Sequence, residues 1–393
     1  VEPQTDDLFV TMIYLDNNAT TMTDPAVADE MRPYFSHYYG NPSSIHSAGS
    51  EVKLKIEDAR RNTASLIGAG KDEIIFTGSG TESDNLALRG AAYAKTAAGR
   101  HIIVSAIEHS AVLNTARALQ TEGFDITYIK PGKDGIVDYS SLENALRDDT
   151  VLVSVMHVNN ETGAIQPISE ISGLLKERNI LFHTDAVQST GKMDYDVVKL
   201  GVDMLTASAH KFHGPKGIGF LYKKKTVSIN PIITGGGHEQ GIRPGTENVP
   251  GIIGLSKALD IAYSGHSEFS RQMSQQRQAM LDIISEGVGD FILNTPIEAS
   301  IENTLNLSFP SIESEALVLM LSDRNIMVSG GSACSSSEGS PSHVLRAMGR
   351  NPRESAGSLR ISLSRFNTDS EIERAGRIIA ECVNKLRKLS PEA

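Results

Sequence analysis

Residues 203–217 read DMLTASAHKFHGPKG, a short apolar run that ends in Ser-Ala-His-Lys and continues into a turn rich in Gly and Pro. The run predicts a strand, and Lys211 stands where that strand gives way to a loop. Catalytic groups in α/β sheets usually occupy this position, and a lysine amine can form a Schiff base with an aldehyde cofactor. The alternative is a solvated surface lysine, but the preceding strand and the flanking Ser208 and His210 favour a functional one.

Short apolar runs alternate with amphipathic stretches on both sides of this sequence. Strands are predicted at 73–78, 101–106, 125–130, 151–158, 180–185, 203–209 and 217–223, and helices at 82–93, 110–122 and 168–178. This alternation predicts an α/β fold with a mostly parallel central sheet that helices cover on both faces. Functional residues are then expected at the carboxyl ends of the strands.

The sequence changes character after about residue 262. A polar helix is predicted at 268–287, strands near 303–309 and 358–364, and a last helix at 369–389. We therefore expect a large domain over residues 24–262 and a smaller α+β domain formed by residues 1–23 together with residues 263–393.

Composition restricts the classes of function. The chain of 393 residues has a formal net charge of −11, which argues against nucleic-acid binding as its main activity. It lacks an apolar run long enough for a transmembrane helix, and residues 1–12 lack the features of a secretory signal. Two cysteines cannot form a disulfide framework, so a cytoplasmic protein is expected. The histidines and cysteines lack metal-ligand spacing, so we expect no metal site.

Residues 78–85, GSGTESDN, follow a predicted strand and open a helix. Backbone N–H groups at a helix start, together with the Thr81 hydroxyl, form a site suited to phosphate. The segment lacks the Gly-Lys-Ser/Thr ending of a nucleotide-binding loop, which argues against a nucleoside triphosphate. An ordinary capping box from Thr81 to Asp84 also explains the pattern, and it is compatible with phosphate binding.

Two polar residues follow other predicted strands. Asp185 ends the strand at 180–185, where a carboxylate suits the pyridinium nitrogen of a cofactor ring. A helix N-cap explains this aspartate equally well in isolation, but Lys211 about one strand downstream favours the cofactor interpretation. His109 follows the strand at 101–106, and its imidazole could stack on such a ring or move a proton, although a single histidine is more often structural.

The two cysteines have different surroundings. Cys334 stands in SGGSACSSSEGSPS (329–342), whose Ser and Gly side chains cannot bury it, and an exposed thiol is what a nucleophile needs. Cys382 lies among apolar residues at helical spacing and is expected in the core. Arg360, in the predicted strand at 358–364, could bind a substrate carboxylate, although a surface ion pair is as consistent with the sequence.

Taken together, the motifs resemble the NifS/IscS type of cysteine desulfurase, within the class V family of pyridoxal-phosphate enzymes. The resemblance runs from IYLDNNATT (13–21) to SRFNTDSEIE (364–373). Between them stand, in family order, GNPSSIHSAG, GTES, EHSAV, VNNETG, HTDAVQ, SAHKFHGPKG, GGGHEQGIRPGTEN and SGGSACSSS. A single motif of this kind is weak evidence for the family, whereas the whole set in this order is specific to it. It implies the aspartate-aminotransferase-like fold of pyridoxal-phosphate-dependent transferases.

The resemblance also implies roles for residues at matching positions. Lys211 would bind the cofactor pyridoxal 5'-phosphate covalently and move protons, and Cys334 would accept the substrate sulfur. The other implied contacts are His109 stacked on the ring, Asp185 at the ring nitrogen, Asn160 and Gln188 near the ring hydroxyl, Gly80, Thr81, Ser208 and His210 at the phosphate, Thr246 at the phosphate of a partner subunit, and Arg360 with Asn41 at the substrate carboxylate.

In this family L-cysteine gives alanine and a persulfide that passes to iron–sulfur scaffold proteins or other sulfur acceptors, so a homodimer with such a partner is expected. Three alternatives stay open: a selenocysteine lyase, a class V aminotransferase and a catalytically idle dimeric scaffold. In an aminotransferase Cys334 would have no assigned role. A catalytically idle scaffold would be expected to lack Lys211 or Cys334, and both are present. Gln240 and Pro244 depart from residues common in the family, which weakens any claim about the choice of partner.

Overall fold

The computed structural model describes residues 12–330 and 342–389, so Cys334 lies outside the described residues. The strands are β1 (Ile13–Tyr14), β2 (Ile74–Thr77), β3 (His101–Ser105), β4 (Asp125–Ile129), β5 (Thr150–Ser154), β6 (Leu181–Asp185), β7 (Met204–Ser208), β8 (Gly219–Lys223), β9 (Ile292–Leu293), β10 (Thr304–Ser308), β11 (Ile326–Met327) and β12 (Ser358–Ser362). The helices are α1 (Pro25–Met31), α2 (Pro33–Ser36), α3 (Ser47–Leu66), α4 (Gly80–Lys95), α5 (Ser110–Thr121), α6 (Tyr139–Ala145), α7 (Ile168–Glu177), α8 (Val197–Leu200), α9 (Val249–Ser264), α10 (His266–Gly287), α11 (Ser314–Ser322), α12 (His343–Ala347), α13 (Pro352–Ala356) and α14 (Asp369–Leu389). Each strand and helix predicted from the sequence is present, with ends shifted by a few residues.

A seven-stranded sheet lies at the centre of the first two thirds of the chain, in the order β2-β8-β7-β6-β5-β3-β4. Strands β4, β3, β5, β6 and β7 pair in parallel, and helices such as α5 and α7 provide the crossovers that parallel pairing needs. β8 runs antiparallel to β7 because residues 209–218 connect the two strands without a crossover helix. The mostly parallel sheet predicted from the sequence is confirmed.

Apolar residues form cores on both faces of this sheet and a further core outside it. Ile103 on β3 packs in a cluster with residues of α3 and α9, while the adjacent Ile102 packs in a cluster with residues of α4 and α5. The further core joins β10, β12, α10 and α14, and includes Ile13 and Leu15 from the start of the described chain. The domain boundary predicted at residue 262 would fall within α9, and it stays a prediction.

The carboxyl ends of β2, β3, β5, β6 and β7 lie along one edge of the sheet, since β2 and β7 are each antiparallel to β8. Asp185 is the last residue of β6 and Ser208 is the last residue of β7. The chain leaving β2 begins α4 at Gly80, and the chain leaving β3 reaches His109 directly before α5. Four predicted site residues therefore meet at the edge where ligands of α/β sheets bind.

Among residues 12–330 and 342–389, no helix combines the length and the apolar character needed to cross a bilayer. The same ranges contain no group of three or more His, Cys, Asp or Glu side chains placed to hold a metal ion.

Candidate active site

Lys211 lies one turn beyond the end of β7. Residues Ala209–Lys211 form a 3-10 turn, closed by a hydrogen bond of 3.1 Å from the Phe212 N–H to the Ala209 carbonyl, which also accepts from the Gly214 N–H at 2.9 Å. Residue 214 has to be small, because a Cβ there would lie 2.7 Å from the Cβ of Ala209. The Lys211 amine (Nζ) donates to the backbone carbonyl of Asn18 at 2.6 Å and to that of Ala19 at 2.8 Å. The amine is therefore held against the N-terminal segment.

Lys211 lines a cavity of about 260 Å³ at this edge of the sheet. The predicted site residues that line it are Gly80, Thr81, His109, Asn160, Asp185, Gln188, Ser208, His210, Lys211 and Arg360. The other lining residues are Asn18, Ala19, Ser79, Asp84, Met156 and Val187. Asn41 and Thr246 are exposed and lie outside this cavity, and Cys334 belongs to the part of the chain that the structure does not describe.

Asp185 changes charge near neutral pH. Burial raises the pKa of its carboxyl group to about 6, although the Val187 N–H and the charge of Lys211 act in the opposite direction. The Val187 N–H donates to Oδ1 of Asp185 at 2.9 Å and fixes the carboxyl group at the end of β6. A protonated ring nitrogen placed beside this group would keep it ionised, because an opposite charge stabilises a carboxylate.

Asp84 and Glu108 are two further buried carboxyl groups that interact electrostatically with Asp185. Burial, reinforced by the charge of Asp185, raises the pKa of both groups well above the usual range. Oδ1 of Asp84 and Oε2 of Glu108 have no hydrogen-bond partner within the described ranges. Like charges cannot share a buried site without cost, so this arrangement favours the neutral forms of Asp84 and Glu108 beside the Asp185 carboxylate.

His109 is the N-cap residue of α5. Its Nδ1 accepts a hydrogen bond of 3.1 Å from the Ala111 N–H, so in the neutral ring Nε2 carries the hydrogen. Burial, together with the nearby Lys211 and His343, lowers the pKa of His109 to about 4. The cavity therefore presents a neutral imidazole whose position is fixed by the cap.

The first turn of α4 contributes Gly80 and Thr81 to the cavity. Ser79 caps this helix, since its hydroxyl accepts a hydrogen bond of 3.1 Å from an N–H of the first turn. The capping box from Thr81 to Asp84 is therefore wrong, and Asp84 is buried instead. A Cβ on Gly80 would lie 2.9 Å from Cγ2 of Val187 and would narrow the cavity. The first N–H groups of a helix lack acceptors within the helix and bind anions.

Ser208 and His210 lie beside this helix start in the cavity wall. The Nδ1 atom of His210 lies 3.0 Å from the Thr20 hydroxyl. Burial, with a contribution from the charge of Lys211, lowers the pKa of His210 to about 4. The neutral ring and the Ser208 hydroxyl can both donate hydrogen bonds to an anion held at the start of α4.

Arg360 lies on β12, a strand of the core that β10, β12, α10 and α14 form, and it lines the cavity. Its side chain is 1% exposed. Its Nη1 donates to the Asn160 carbonyl at 3.1 Å, and its Nη2 donates to Oδ1 of Asp16 at 2.7 Å. Its Nε has no hydrogen-bond partner among the residues that the structure describes. A buried donor without an acceptor costs free energy, so this edge of the guanidinium is suited to a ligand carboxylate.

Several residues at the site were not predicted to act there. The Asn18 and Ala19 carbonyls receive the Lys211 amine, and Asp84 lines the cavity. Lys192 donates to Oε1 of Gln188 at 2.8 Å, and burial lowers the pKa of its amine to about 7. Residues 16–21, DNNATT, carry a sequence signal for such a role, because a polar run after a strand, broken only by Ala19, seldom belongs to an apolar core.

The residues of the cavity fit pyridoxal 5'-phosphate. Lys211 supplies an amine for the aldehyde, and Asp185 supplies a carboxylate for the ring nitrogen. The missing side chain of Gly80 leaves room at the start of α4 for the phosphate. The guanidinium of Arg360, whose Nε has no partner within the described residues, is chemically suited to a carboxylate.

Comparisons with known proteins agree with this arrangement. The family model described as aminotransferase class-V matches residues 13–375. A cysteine desulfurase IscS of Methanosarcina thermophila is 45% identical over 379 residues, which cover 96% of this chain and 94% of that protein. A solved structure described as a NifS-like protein matches with a TM-score of 0.90 and 41% identity, covering 96% of this chain and 100% of the other. A structure of SspA in complex with cysteine matches with a TM-score of 0.81 and 38% identity, covering 91% and 100%.

Proposed function

The chain belongs to the aminotransferase class-V family, and from that premise we propose that it is a cysteine desulfurase that uses pyridoxal 5'-phosphate. It would convert L-cysteine to L-alanine and retain the sulfur as a persulfide on Cys334. The observation that carries this proposal is the cavity in which Lys211, Asp185, His109 and Arg360 meet. Relatives that are named cysteine desulfurase and align over nearly the whole chain support the same activity.

The lining residues divide the cavity into parts for the cofactor and for the substrate. Gly80, Thr81, Ser208 and His210 would hold the phosphate, with Asp185 at the ring nitrogen and Asn160 and Gln188 near the ring hydroxyl. When bound, the cofactor supplies an electron sink that stabilises negative charge at the substrate Cα. Asp185 maintains that capacity because its carboxylate keeps the ring nitrogen protonated.

Lys211 and His109 would handle protons and orientation. The Lys211 amine is positioned to take the Cα proton of the substrate and to return a proton later, because a neutral amine is a general base. His109 is neutral at pH 7 and fixed by its capping bond, so it would hold a flat ring in place by stacking without adding charge. The Nε edge of Arg360 would bind the substrate carboxylate.

Transfer of sulfur requires a second thiol. The Cys334 thiolate would attack the substrate sulfur, so that an S–S bond forms while the substrate Cβ–S bond breaks. The electron pair of the broken bond stays with the carbon, which gains a proton and becomes the methyl group of alanine. L-Cysteine and the Cys334 thiol thus give L-alanine and a Cys334 persulfide, which an iron–sulfur scaffold protein or another sulfur acceptor would receive.

We also propose a homodimer, in which Thr246 reaches the phosphate site of the partner subunit. Thr246 and Asn41 stand on neighbouring loops, since the Ser43 hydroxyl lies 3.4 Å from Nε2 of His238 and the Gly245 N–H donates to Nδ1 of that histidine at 3.3 Å. Apolar side chains are exposed in the same part of the chain, at Phe35 (67%), Tyr39 (79%), Ile45 (100%) and Leu54 (65%). Side chains of this kind are enriched in subunit interfaces.

Product analysis tests the proposed function. The protein loaded with pyridoxal 5'-phosphate is incubated with L-cysteine and a reductant, and sulfide and alanine are measured together. Equal amounts of both products support the proposal, and alanine without sulfide contradicts it. L-Selenocysteine is run in parallel, because selenide release with little activity on cysteine would identify a selenocysteine lyase. Sedimentation velocity tests the homodimer, which a monomeric mass would rule out.

A further inference from the structure

Residues 16–21, which follow β1, contact several side chains that line the cavity. Asp16 accepts from Nη2 of Arg360 at 2.7 Å, and the Thr20 hydroxyl lies 3.0 Å from Nδ1 of His210. The Asn18 carbonyl accepts from the Lys211 amine at 2.6 Å and from Nε2 of Gln188 at 3.0 Å. This short segment therefore touches both the cofactor part and the substrate part of the site.

The Asn18 side chain is 2% exposed, and both ends of its amide are fully bonded. Oδ1 accepts from Nδ2 of Asn303 at 3.0 Å and from Nζ of Lys192 at 3.3 Å. Nδ2 donates to the Thr304 hydroxyl at 2.8 Å and to the Asn160 carbonyl at 3.3 Å. An amide offers two acceptor and two donor directions, and here all four are used.

These contacts hold Asn18 from both sides of the cavity. Thr304 begins β10 and Asn303 directly precedes it, whereas Lys192 and Asn160 follow strands of the large sheet. The Asn18 N–H donates to the Ser362 hydroxyl at 2.9 Å, which adds a third fixed contact on β12. The backbone carbonyl of Asn18 consequently has little freedom to move relative to either part of the fold.

We propose that Asn18 is a positioning residue that acts through Lys211. Its bonded amide fixes the carbonyl that receives the Lys211 amine and the Gln188 side chain, and so sets where that amine meets the aldehyde of the cofactor. The inference rests on the proposed function, because it concerns the reaction of Lys211 with pyridoxal 5'-phosphate. A displacement of about 1 Å at a reacting group can cost about 100-fold in rate, so loss of this amide has a kinetic effect separate from stability.

Asn17 provides a matched control for Asn18. It is equally buried, at 3% exposure, and its amide donates to the backbone carbonyls of Ser362 at 2.9 Å and Tyr14 at 3.4 Å. Those carbonyls belong to β12 and β1. An Asn17→Ala variant thus loses the buried asparagine directly before Asn18, while the hydrogen bonds from Lys211 and Gln188 to the Asn18 carbonyl remain.

The experiment measures how fast apoprotein captures pyridoxal 5'-phosphate on residue 211, by quenching with borohydride at intervals and quantifying the labelled peptide. Thermal unfolding midpoints are recorded for the same samples. We expect Asn18→Ala to slow capture at least about tenfold and to shift the pH midpoint of the cofactor absorbance. We expect Asn17→Ala to lose similar stability while its capture rate stays within about twofold of wild type.

A Thr304→Val variant removes one of the two acceptors of the Asn18 Nδ2 group without changing a residue that lines the cavity, and it decides the question if Asn18→Ala does not fold. We expect its capture rate to lie between those of wild type and Asn18→Ala. Capture at the wild-type rate by Thr304→Val, or equal rates for Asn18→Ala and Asn17→Ala, would overturn the positioning role alone. Wild-type protein that is not labelled at residue 211 would overturn the proposed function as well.

Discussion

The Nη2 atom of Arg360 donates a hydrogen bond of 2.7 Å to Oδ1 of Asp16, so the buried guanidinium already holds one carboxylate of its own chain. This ion pair balances the charge of an arginine that is 1% exposed and positions its remaining edge. Nε is buried and has no hydrogen-bond partner among residues 12–330 and 342–389. Asp16 thus orients Arg360 through Nη2, whereas the substrate carboxylate would bind to a different part of the guanidinium.

Arg360→Lys is expected to raise KM for L-cysteine about 10- to 100-fold, because an ammonium cannot bind Asp16 and a ligand through one planar fork. The estimate corresponds to about 1.5–3 kcal/mol for a hydrogen bond to a charged group. Steady-state kinetics against L-cysteine provide the measurement. An unchanged KM would remove Arg360 from the substrate site.

Lys211→Ala should abolish the visible absorbance of bound pyridoxal 5'-phosphate and all release of sulfide, because the variant lacks the lysine amine that lines the cavity. Lys216→Ala is the matched control, since Lys216 lies on the same loop but is exposed. Absorbance spectra of the dialysed proteins make the comparison. A normal spectrum for Lys211→Ala, or its loss in Lys216→Ala, would show that the cofactor had been assigned to the wrong lysine.

Cys334→Ala is expected to leave the cofactor spectrum intact and to stop sulfide release from L-cysteine, because the thiol that accepts the sulfur is gone. Cys382→Ala serves as the control, since Cys382 is 3% exposed in the core beside α10. That variant should unfold at a lower temperature and still release sulfide. Sulfide production by Cys334→Ala would end the acceptor assignment.

Binding of pyridoxal 5'-phosphate to the apoprotein should weaken as the pH falls through about 6. The pKa of Asp185 is raised to about 6 by burial, so the carboxylate that pairs with the ring nitrogen is present above that pH and lost below it. Its ionised fraction falls about tenfold between pH 7 and pH 5. Equilibrium dialysis should show this loss of cofactor affinity below about pH 6 in wild type, while Asp185→Asn binds the cofactor weakly at every pH between 5 and 7.

Titration of the cofactor phosphate affects wild type and Asp185→Asn alike, so the difference between their pH profiles isolates Asp185. Parallel profiles would mean that Asp185 does not pair with the ring nitrogen.

Residues at strand ends could be predicted from the sequence for a physical reason. A parallel sheet brings the carboxyl ends of its strands together, so Asp185 and the Lys211 turn had to meet once the strands were recognised. The resemblance then added Asn160, whose position no local pattern specified, and favoured a substrate role for Arg360, which the sequence alone left open beside a surface ion pair.

The role of Asn18 could not be predicted in the same way. Its contact with Lys211 spans 193 residues of sequence and uses a backbone carbonyl, which every residue type possesses. The burial of Asp84 was hidden because a polar residue near a helix start resembles a cap, and the actual cap is Ser79. Helix α3 was missed because its sequence is largely polar, and it is stabilised by apolar residues on one face such as Val52 and Ile56.

Because Asn18 is far in sequence from its partners, the parts of the site become able to assemble at different times during synthesis. The Asn18 N–H bonds to Ser362, which lies 344 residues later, and Arg360 emerges at nearly the same time. A ribosome-bound chain that ends before residue 360 contains every strand of the large sheet together with Lys211, but it lacks both Arg360 and one anchor of Asn18. The half of the site that would receive the cofactor can therefore assemble before β12 is made, whereas the half that would bind the substrate carboxylate cannot.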